Sequence, residues 1–297
     1  MYNFFLPIEE ELIQVIRETL KNHDEFVQAK TIQTGWTNIT MDVTGEKDNY
    51  IFRFPRNLFF AKMMIKDCQF CQFIHGKVHT PTPDMKLKFH KERPYSVHRK
   101  IPGVSLTSKM DHLKSQEIEK VCTDLADFLT ELHALPYQSM PSEIEESLDN
   151  FLTGLASVHK GNYDLSKHDR LKNIEKNVNI PSIIHGDFNP GNVLLDENNH
   201  VSAVIDFSFA SISDKHADIG RFVGRSTPEW GETLIQAYQI KTKKPCQREK
   251  IQDVVDLFKY VEFKYVQYMQ SNHPEIVIPE FVLQMAATEA KNFEPSK

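Results

Sequence analysis

The stretch 183–207 constrains the fold of this chain more than any other. Ile183-Ile184-His185-Gly186-Asp187-Phe188-Asn189-Pro190-Gly191-Asn192-Val193-Leu194-Leu195 is followed by Asp196-Glu197-Asn198-Asn199-His200 and then by Ala203-Val204-Ile205-Asp206-Phe207. Short apolar runs bounded by turn residues read as strand, polar loop, strand, hairpin turn, strand. Polar side chains gather at the strand ends, where a rigid scaffold can hold chemistry.

The sequence on either side of this stretch changes its periodicity. Leu12, Ile13, Ile16 and Leu20 share one face of a helix over Glu11–Lys21. Ile39, Met41 and Val43 then alternate with polar neighbours, as do Tyr50, Phe52 and Phe54 beyond a turn containing Gly45 and Asp48, which predicts antiparallel strands. A helix over Ala61–Ile74 is closed by Gly76 and by Thr80-Pro81-Thr82-Pro83. A further strand over Tyr95–Arg99 leads into Lys100-Ile101-Pro102-Gly103. Beyond that point the pattern is helical. Ser115 is a suitable N-cap for a helix carrying Ile118, Val121, Cys122, Leu125, Phe128, Leu129 and Leu132, stopped by Pro136. Ile251, Val254, Val255, Phe258, Val261, Tyr265 and Met269 form a second long apolar face. The expected fold is α+β in two lobes, a small antiparallel-sheet lobe over 1–99 and a mostly helical lobe over 100–297.

Composition removes several classes. The 297 residues carry a formal charge of −6, and their 35 basic residues form no cluster that would track a phosphate backbone, so nucleic acid is not an expected partner. Met1–Pro7 lacks the basic and apolar regions of a secretory leader, and no run of about 18 apolar residues predicts a membrane span. A cytoplasmic monomer is expected. Cys68 and Cys71 form a Cys-x-x-Cys pair inside an apolar helical run without a second pair at zinc spacing, and they read as free thiols.

The polar groups of 185–206 suit phosphoryl transfer. That reaction needs one carboxylate to orient the attacking hydroxyl and accept its proton, and oxygen ligands to hold Mg²⁺ against nucleotide phosphates. Asp187 and Asn192 have the Asp-x-x-x-x-Asn spacing of a kinase catalytic loop, and Asp206-Phe207 falls where a metal-binding Asp-Phe-Gly element would. Arg53, within the strand Tyr50–Phe54, reads either as a solvated edge charge or as the cation that pairs with phosphates and with a helix carboxylate, here Asp67. Gln33-Thr34-Gly35-Trp36-Thr37-Asn38 reads equally as a phosphate-covering loop or an ordinary hairpin loop.

With His185, Asp187, Asn192 and Ile205-Asp206-Phe207 in place, the chain resembles the aminoglycoside phosphotransferase and choline kinase superfamily, whose fold is protein-kinase-like. The resemblance implies a small-molecule O-phosphotransferase using ATP or GTP with Mg²⁺. It implies Asp187 as base, Asn192 and Asp206 as metal ligands, and Arg53 with Asp67 at the nucleotide. Arg99 and Ile101, in Arg99-Lys100-Ile101-Pro102-Gly103-Val104, would lie in the linker that meets the purine. His185, Asp214 and Asp218 are expected to support the loop.

An aminoglycoside antibiotic is the first expected acceptor, and a resistance activity follows from it. Glu229 and Glu262, with Glu232 behind them, are candidates for its ammonium groups. Arg221, Gly224, Arg225 and Ser226 stand where some such enzymes carry an acidic run, and Ser208 stands where choline kinases usually carry Glu. A metabolic kinase for choline, a sugar or an amino alcohol is the alternative, and Trp230, Tyr238, Tyr260, Tyr265 and Tyr268 offer aromatic faces for either.

Overall fold

The computed structural model describes residues 9–32, 37–140 and 182–272, with further positions up to 288. Residues 33–36 of the candidate phosphate loop lie outside the described residues. Helix α1 (Glu9–Leu20) is followed by β1 (Phe26–Ile32), β2 (Asn38–Gly45), β3 (Asn49–Pro55), α2 (Leu58–Ile74), β4 (Lys86–His90) and β5 (Arg93–Arg99). The five strands form one antiparallel sheet in the order β1-β2-β3-β5-β4.

Alternation decides what each face of this sheet carries. Met41, Val43, Tyr50, Phe52, Phe54, Tyr95 and Val97 are buried against Leu12, Val15, Ile16 and Leu20 of α1. Phe54 and Tyr95 stack with centroids 5.4 Å apart. The register pairs Phe52 with Val97 and Arg53 with Ser96, so Arg53 points away from the α1 core. Asp24 fastens the β2–β3 turn to the start of β1. Its carboxylate accepts backbone N–H bonds from Glu25 (2.8 Å), Lys47 (3.0 Å) and Asp48 (3.1 Å), and the Tyr50 hydroxyl at 3.0 Å. Burial pushes this carboxyl up, but the four donors together bring it down to about 2.

Two strands of this sheet were not visible in the sequence. β1 and β4 are the sheet edges, and their partial burial leaves no clean alternation to detect. The β4–β5 turn is made by Lys91 and Glu92, both with positive φ (46° and 64°), where Gly or Asn is the usual signal. Helix α2 begins at Leu58, earlier than the expected Ala61, because the Asn57 side chain accepts the Phe60 N–H at 2.9 Å.

The second half is built from α3 (Ser115–Ala134), α4 (His216–Val223), α5 (Pro228–Thr242) and α6 (Arg248–Asn272). Between them lie β6 (Val104–Ser105), β7 (Ser182–Ile184), β8 (Val193–Leu195), β9 (Val201–Val204) and β10 (Ser211–Ser213), arranged as a β6-β8-β9 sheet and a β7-β10 pair. Ser115 is the first helical residue of α3 and not its cap. Glu117 instead accepts the Lys114 N–H at 3.0 Å, while the Ser115 hydroxyl donates to Glu229.

The main core joins Met64, Phe70, Cys71 and Ile74 of α2 to Leu125, Phe128 and Leu132 of α3, and to Ile183, Val193, Val204 and Phe207 beside the polar loop. Among the described residues, no helix is long and apolar enough to cross a membrane.

Candidate active site

The loop leaving β7 is held from below by α4. The Asp218 carboxylate, fully buried, accepts the backbone N–H of His185 at 2.9 Å and of Gly186 at 2.8 Å. Gly186 has φ 78°, and a Cβ there would sit 2.0 Å from the Phe209 carbonyl oxygen, so only glycine fits. The His185 ring accepts the Asp187 N–H at Nδ1 (3.2 Å) and donates from Nε2 to the Ile205 carbonyl (3.1 Å), tying the two polar segments together. His185 and Asp218 are the loop supports that the sequence indicated. Asp214 pairs instead with His216 (2.6 Å) and Lys250 (3.0 Å).

The turn that follows orients two amides. Asn189 accepts the Gly191 N–H at 2.8 Å and donates to the Asp187 carbonyl at 2.9 Å. Asn192 donates through Nδ2 to the Asp187 carbonyl (2.9 Å) and to Asp187 Oδ2 (3.1 Å), which turns its amide oxygen the other way. The Asn192 carbonyl accepts the Ile205 N–H at 2.9 Å, so pairing of the strands brings Asp206 beside Asn192.

Asp206 has φ 65°, a left-handed conformation that few side chains tolerate and that Asp and Asn tolerate best. Its side chain is 42% exposed, accepts the Ser208 hydroxyl at 2.7 Å, and stands 3.9 Å from Arg53 Nη2. Arg53 also pairs through Nη1 with the buried Asp67. Burial opposes the charge on Arg53, yet Asp67 and Asp206 hold its guanidinium above the ordinary value. Burial raises the Asp67 carboxyl, against the pull of Arg53. The sheet-edge reading of Arg53 is therefore replaced by a buried ion pair that faces Asp206.

Cys68 and Cys71 lie in the same helix turn, both buried. Burial and the Asp67 charge push the Cys68 thiol up to about 12 and Cys71 well above its ordinary value, so both are neutral thiols and poor metal ligands at neutral pH. Among the described residues no group of three or more His, Cys, Asp or Glu side chains converges on a metal position. The amide oxygen of Asn192 and the carboxylate of Asp206 are nonetheless hard oxygen donors, one just before β8 and one just after β9. That donor set fits Mg²⁺, which takes its remaining ligands from phosphate and water.

The other expected residues are more dispersed. Arg99 pairs with Asp48 at 3.0 Å and is largely exposed, and Ile101 is half-buried in the segment between β5 and β6. Glu229, exposed in the first turn of α5, accepts the Ser115 hydroxyl at 3.0 Å. Glu232 is bonded by Arg248 at 2.7 Å. Glu262 falls within α6, but its side chain lies outside the described residues, as do those of Tyr260, Tyr265 and Tyr268.

One residue at the site was missed in its role. Arg221 of α4 donates through Nε to Asp187 Oδ1 at 2.7 Å, and its Nη2 forms an ion pair with the same oxygen at 2.7 Å. The sequence marked Arg221 only as a departure from an acidic run, although it stands one helical turn after Asp218 and so on the same face.

Known proteins share this fold. Residues 28–248 match the phosphotransferase enzyme family, APH. The fold is similar to that of APH(2")-IIia in its GDP and kanamycin complex, with 18% identity and a TM-score of 0.72 over 95% of this chain and 99% of that one. It is also similar to APH(2")-IIa in a streptomycin–ATP complex (17% identity, TM-score 0.65, 88% of this chain and 91% of that one). The macrolide 2'-phosphotransferase MphH from Brachybacterium faecium is a third neighbour (14% identity, TM-score 0.67, 97% of this chain and 99% of that one). The match over most of the chain, on a kinase-like α+β fold, means that this protein belongs to the phosphotransferase enzyme family.

Proposed function

We propose that the protein transfers the γ-phosphoryl group of ATP or GTP, with Mg²⁺, to a hydroxyl of a small molecule, and that an aminoglycoside is the acceptor. The observation that carries this reading is the chain of contacts that joins Asp187 to Asn192 at the strand ends and Asp206 to the Arg53–Asp67 pair of β3 and α2. In this reading residues 1–99 supply the nucleotide lobe, with Arg53 directed to the phosphates and the linker at Arg99 and Ile101 to the base. Residues 100–297 supply the catalytic loop and the acceptor side.

Asp187 accepts the proton of the acceptor hydroxyl as the new O–P bond forms, and the bond to the leaving nucleoside diphosphate breaks. Asn192 and Asp206 would hold Mg²⁺, which neutralises phosphate charge when bound. One neighbour is a complex with GDP and kanamycin and another a complex with streptomycin and ATP, which supports a nucleoside triphosphate and an aminoglycoside here.

A second reading rests on Arg221. A guanidinium on the base takes up its negative charge, so Asp187 offers no unpaired carboxylate to an ammonium group next to the reacting hydroxyl. That favours a neutral hydroxyl acceptor. Incubating the protein with ATP or GTP, Mg²⁺ and a panel of aminoglycosides, macrolides, choline and sugars, then separating phosphorylated products by ion exchange, decides between them. Products from aminoglycosides support the first reading, and products only from neutral acceptors support the second. Absence of any transfer or nucleotide turnover would reject both.

A further inference from the structure

We propose that Arg221 is a positioning residue for the base, holding Asp187 Oδ1 so that Oδ2 is presented to the acceptor hydroxyl. The inference rests on the assignment of Asp187 as base and goes beyond it by naming the group that sets the carboxylate's orientation.

Both oxygens of Asp187 are engaged, in unequal ways. Oδ1 accepts the Arg221 Nε–H at 2.7 Å and has Nη2 at the same distance in an ion pair, whereas Oδ2 receives a single amide donor from Asn192 at 3.1 Å. A carboxylate oxygen accepts two bonds, so Oδ2 keeps room for the hydroxyl while Oδ1 is covered by the guanidinium. The pair is mostly shielded, at 12% and 21% side-chain exposure, where charge-assisted bonds resist competition from water.

The loop itself has no cation for this task. Asn189, two residues after Asp187, spends its amide on the Gly191 N–H and the Asp187 carbonyl. The cation arrives from α4 instead, and α4 is anchored for that purpose at two points. Asp218 grips the loop backbone at His185 and Gly186, and Arg221, one turn later on the same face, grips the Asp187 side chain. Gly220 lets α4 lie directly on α6, since a Cβ there would be 2.7 Å from Val254 Cγ1 and 3.0 Å from the Ile251 carbonyl oxygen. The helix therefore has a fixed height beneath the loop, and the reach of Arg221 is set by it.

The test uses the full chain and its nucleotide turnover, with water as acceptor if no other is identified. Arg221→Ala, Arg221→Lys and Asp187→Asn are compared for kcat, nucleotide KM and thermal midpoint, with and without added guanidinium chloride at low millimolar concentration. Expected for Arg221→Ala are a kcat lowered ~10²-fold, the scale of one lost preorganised donor, an unchanged nucleotide KM, and partial recovery by guanidinium that Asp187→Asn does not share. Arg221→Lys is expected to fall between, because ammonium offers charge without the fork. Wild-type kcat in Arg221→Ala overturns the proposal. So does a loss in both Arg221 variants that guanidinium fails to restore and that tracks a lowered thermal midpoint, which marks a purely structural ion pair. A wild-type chain that turns over no nucleotide overturns the phosphotransferase reading itself. Intact wild-type turnover with an unaffected Asp187→Asn overturns the base assignment instead.

Discussion

Asp67 accepts the backbone N–H of Phe207 at 2.9 Å while its other carboxylate oxygen pairs with Arg53. One buried side chain of α2 thus ties the central sheet to the segment that carries Asp206. Asp67→Ala leaves the buried Arg53 without its main counter-charge and the Phe207 N–H without its acceptor. A loss of about 3–5 kcal/mol is expected, the usual cost of breaking a buried pair on one side. Denaturant unfolding measures it, and a loss under 1 kcal/mol would show that the pair is solvated in solution.

Asp187→Asn keeps the volume and the bond from Asn192 but removes the proton acceptor. Turnover should fall ~10²-fold or more, the scale of a lost general base, with nucleotide affinity within about twofold of wild type by the same reasoning. Steady-state kinetics alongside nucleotide titration checks both halves, and wild-type turnover removes Asp187 from the mechanism.

Asp206 is best probed with Asn before Ala, because its φ of 65° suits Asn and strains Ala by roughly 1 kcal/mol. Asp206→Asn should raise the Mg²⁺ concentration needed for nucleotide binding by losing an anionic oxygen ligand. Calorimetric titration of nucleotide at several Mg²⁺ concentrations reads this, and an unchanged metal dependence would locate the ion elsewhere.

The clamp at Asp24 gives a pH prediction. Its carboxyl titrates near 2 in the folded chain against 3.8 ordinarily, a depressed value. Such a group stabilises the fold above its unfolded value, and the contribution disappears as pH falls through the folded one. Asp24→Asn should therefore melt below wild type at neutral pH, with the gap closing between about pH 4 and 2 by this linkage. Thermal melts across that range check it, and a pH-independent gap would assign the effect to lost hydrogen-bond geometry alone.

Glu229→Gln and Glu262→Gln address the acceptor. If either carboxylate holds an ammonium group, acceptor KM rises by the equivalent of ~1.5–3 kcal/mol and loses salt sensitivity relative to wild type. Equal KM and equal salt slopes in variant and wild type would mark both as solvated helix charges.

The parts of the fold visible in the sequence were those with one buried face. The alternation of Tyr50, Phe52 and Phe54, and the helical spacing of Ile118 to Leu132, are direct imprints of packing. Edge strands β1 and β4 carry no such imprint. The Lys91-Glu92 turn defies residue preference because the paired strands impose its backbone. The spacing of Asp187, Asn192 and Asp206 was legible because it is local to a loop and one hairpin. The guanidinium of Arg221 was not, since its meeting with Asp187 depends on where α4 lies, which is fixed by the contact of Gly220 with Val254.

The main core takes in α2 together with α3 and the strands flanking the polar loop, whereas the sheet packs α1 on its far side with a separate set of apolar residues. A hinge opening at residue 100 that carried all of 1–99 as one body would tear Phe70 from Phe207, whose rings lie 5.4 Å apart. Opening is thereby steered to α1 and the strands β1 and β2, beyond the Arg53–Asp67 pair that keeps β3 on α2. In a hydrogen-exchange experiment the backbone amides of α2 should protect with those of α3, and those of β1 and β2 should open earlier as a separate cooperative unit.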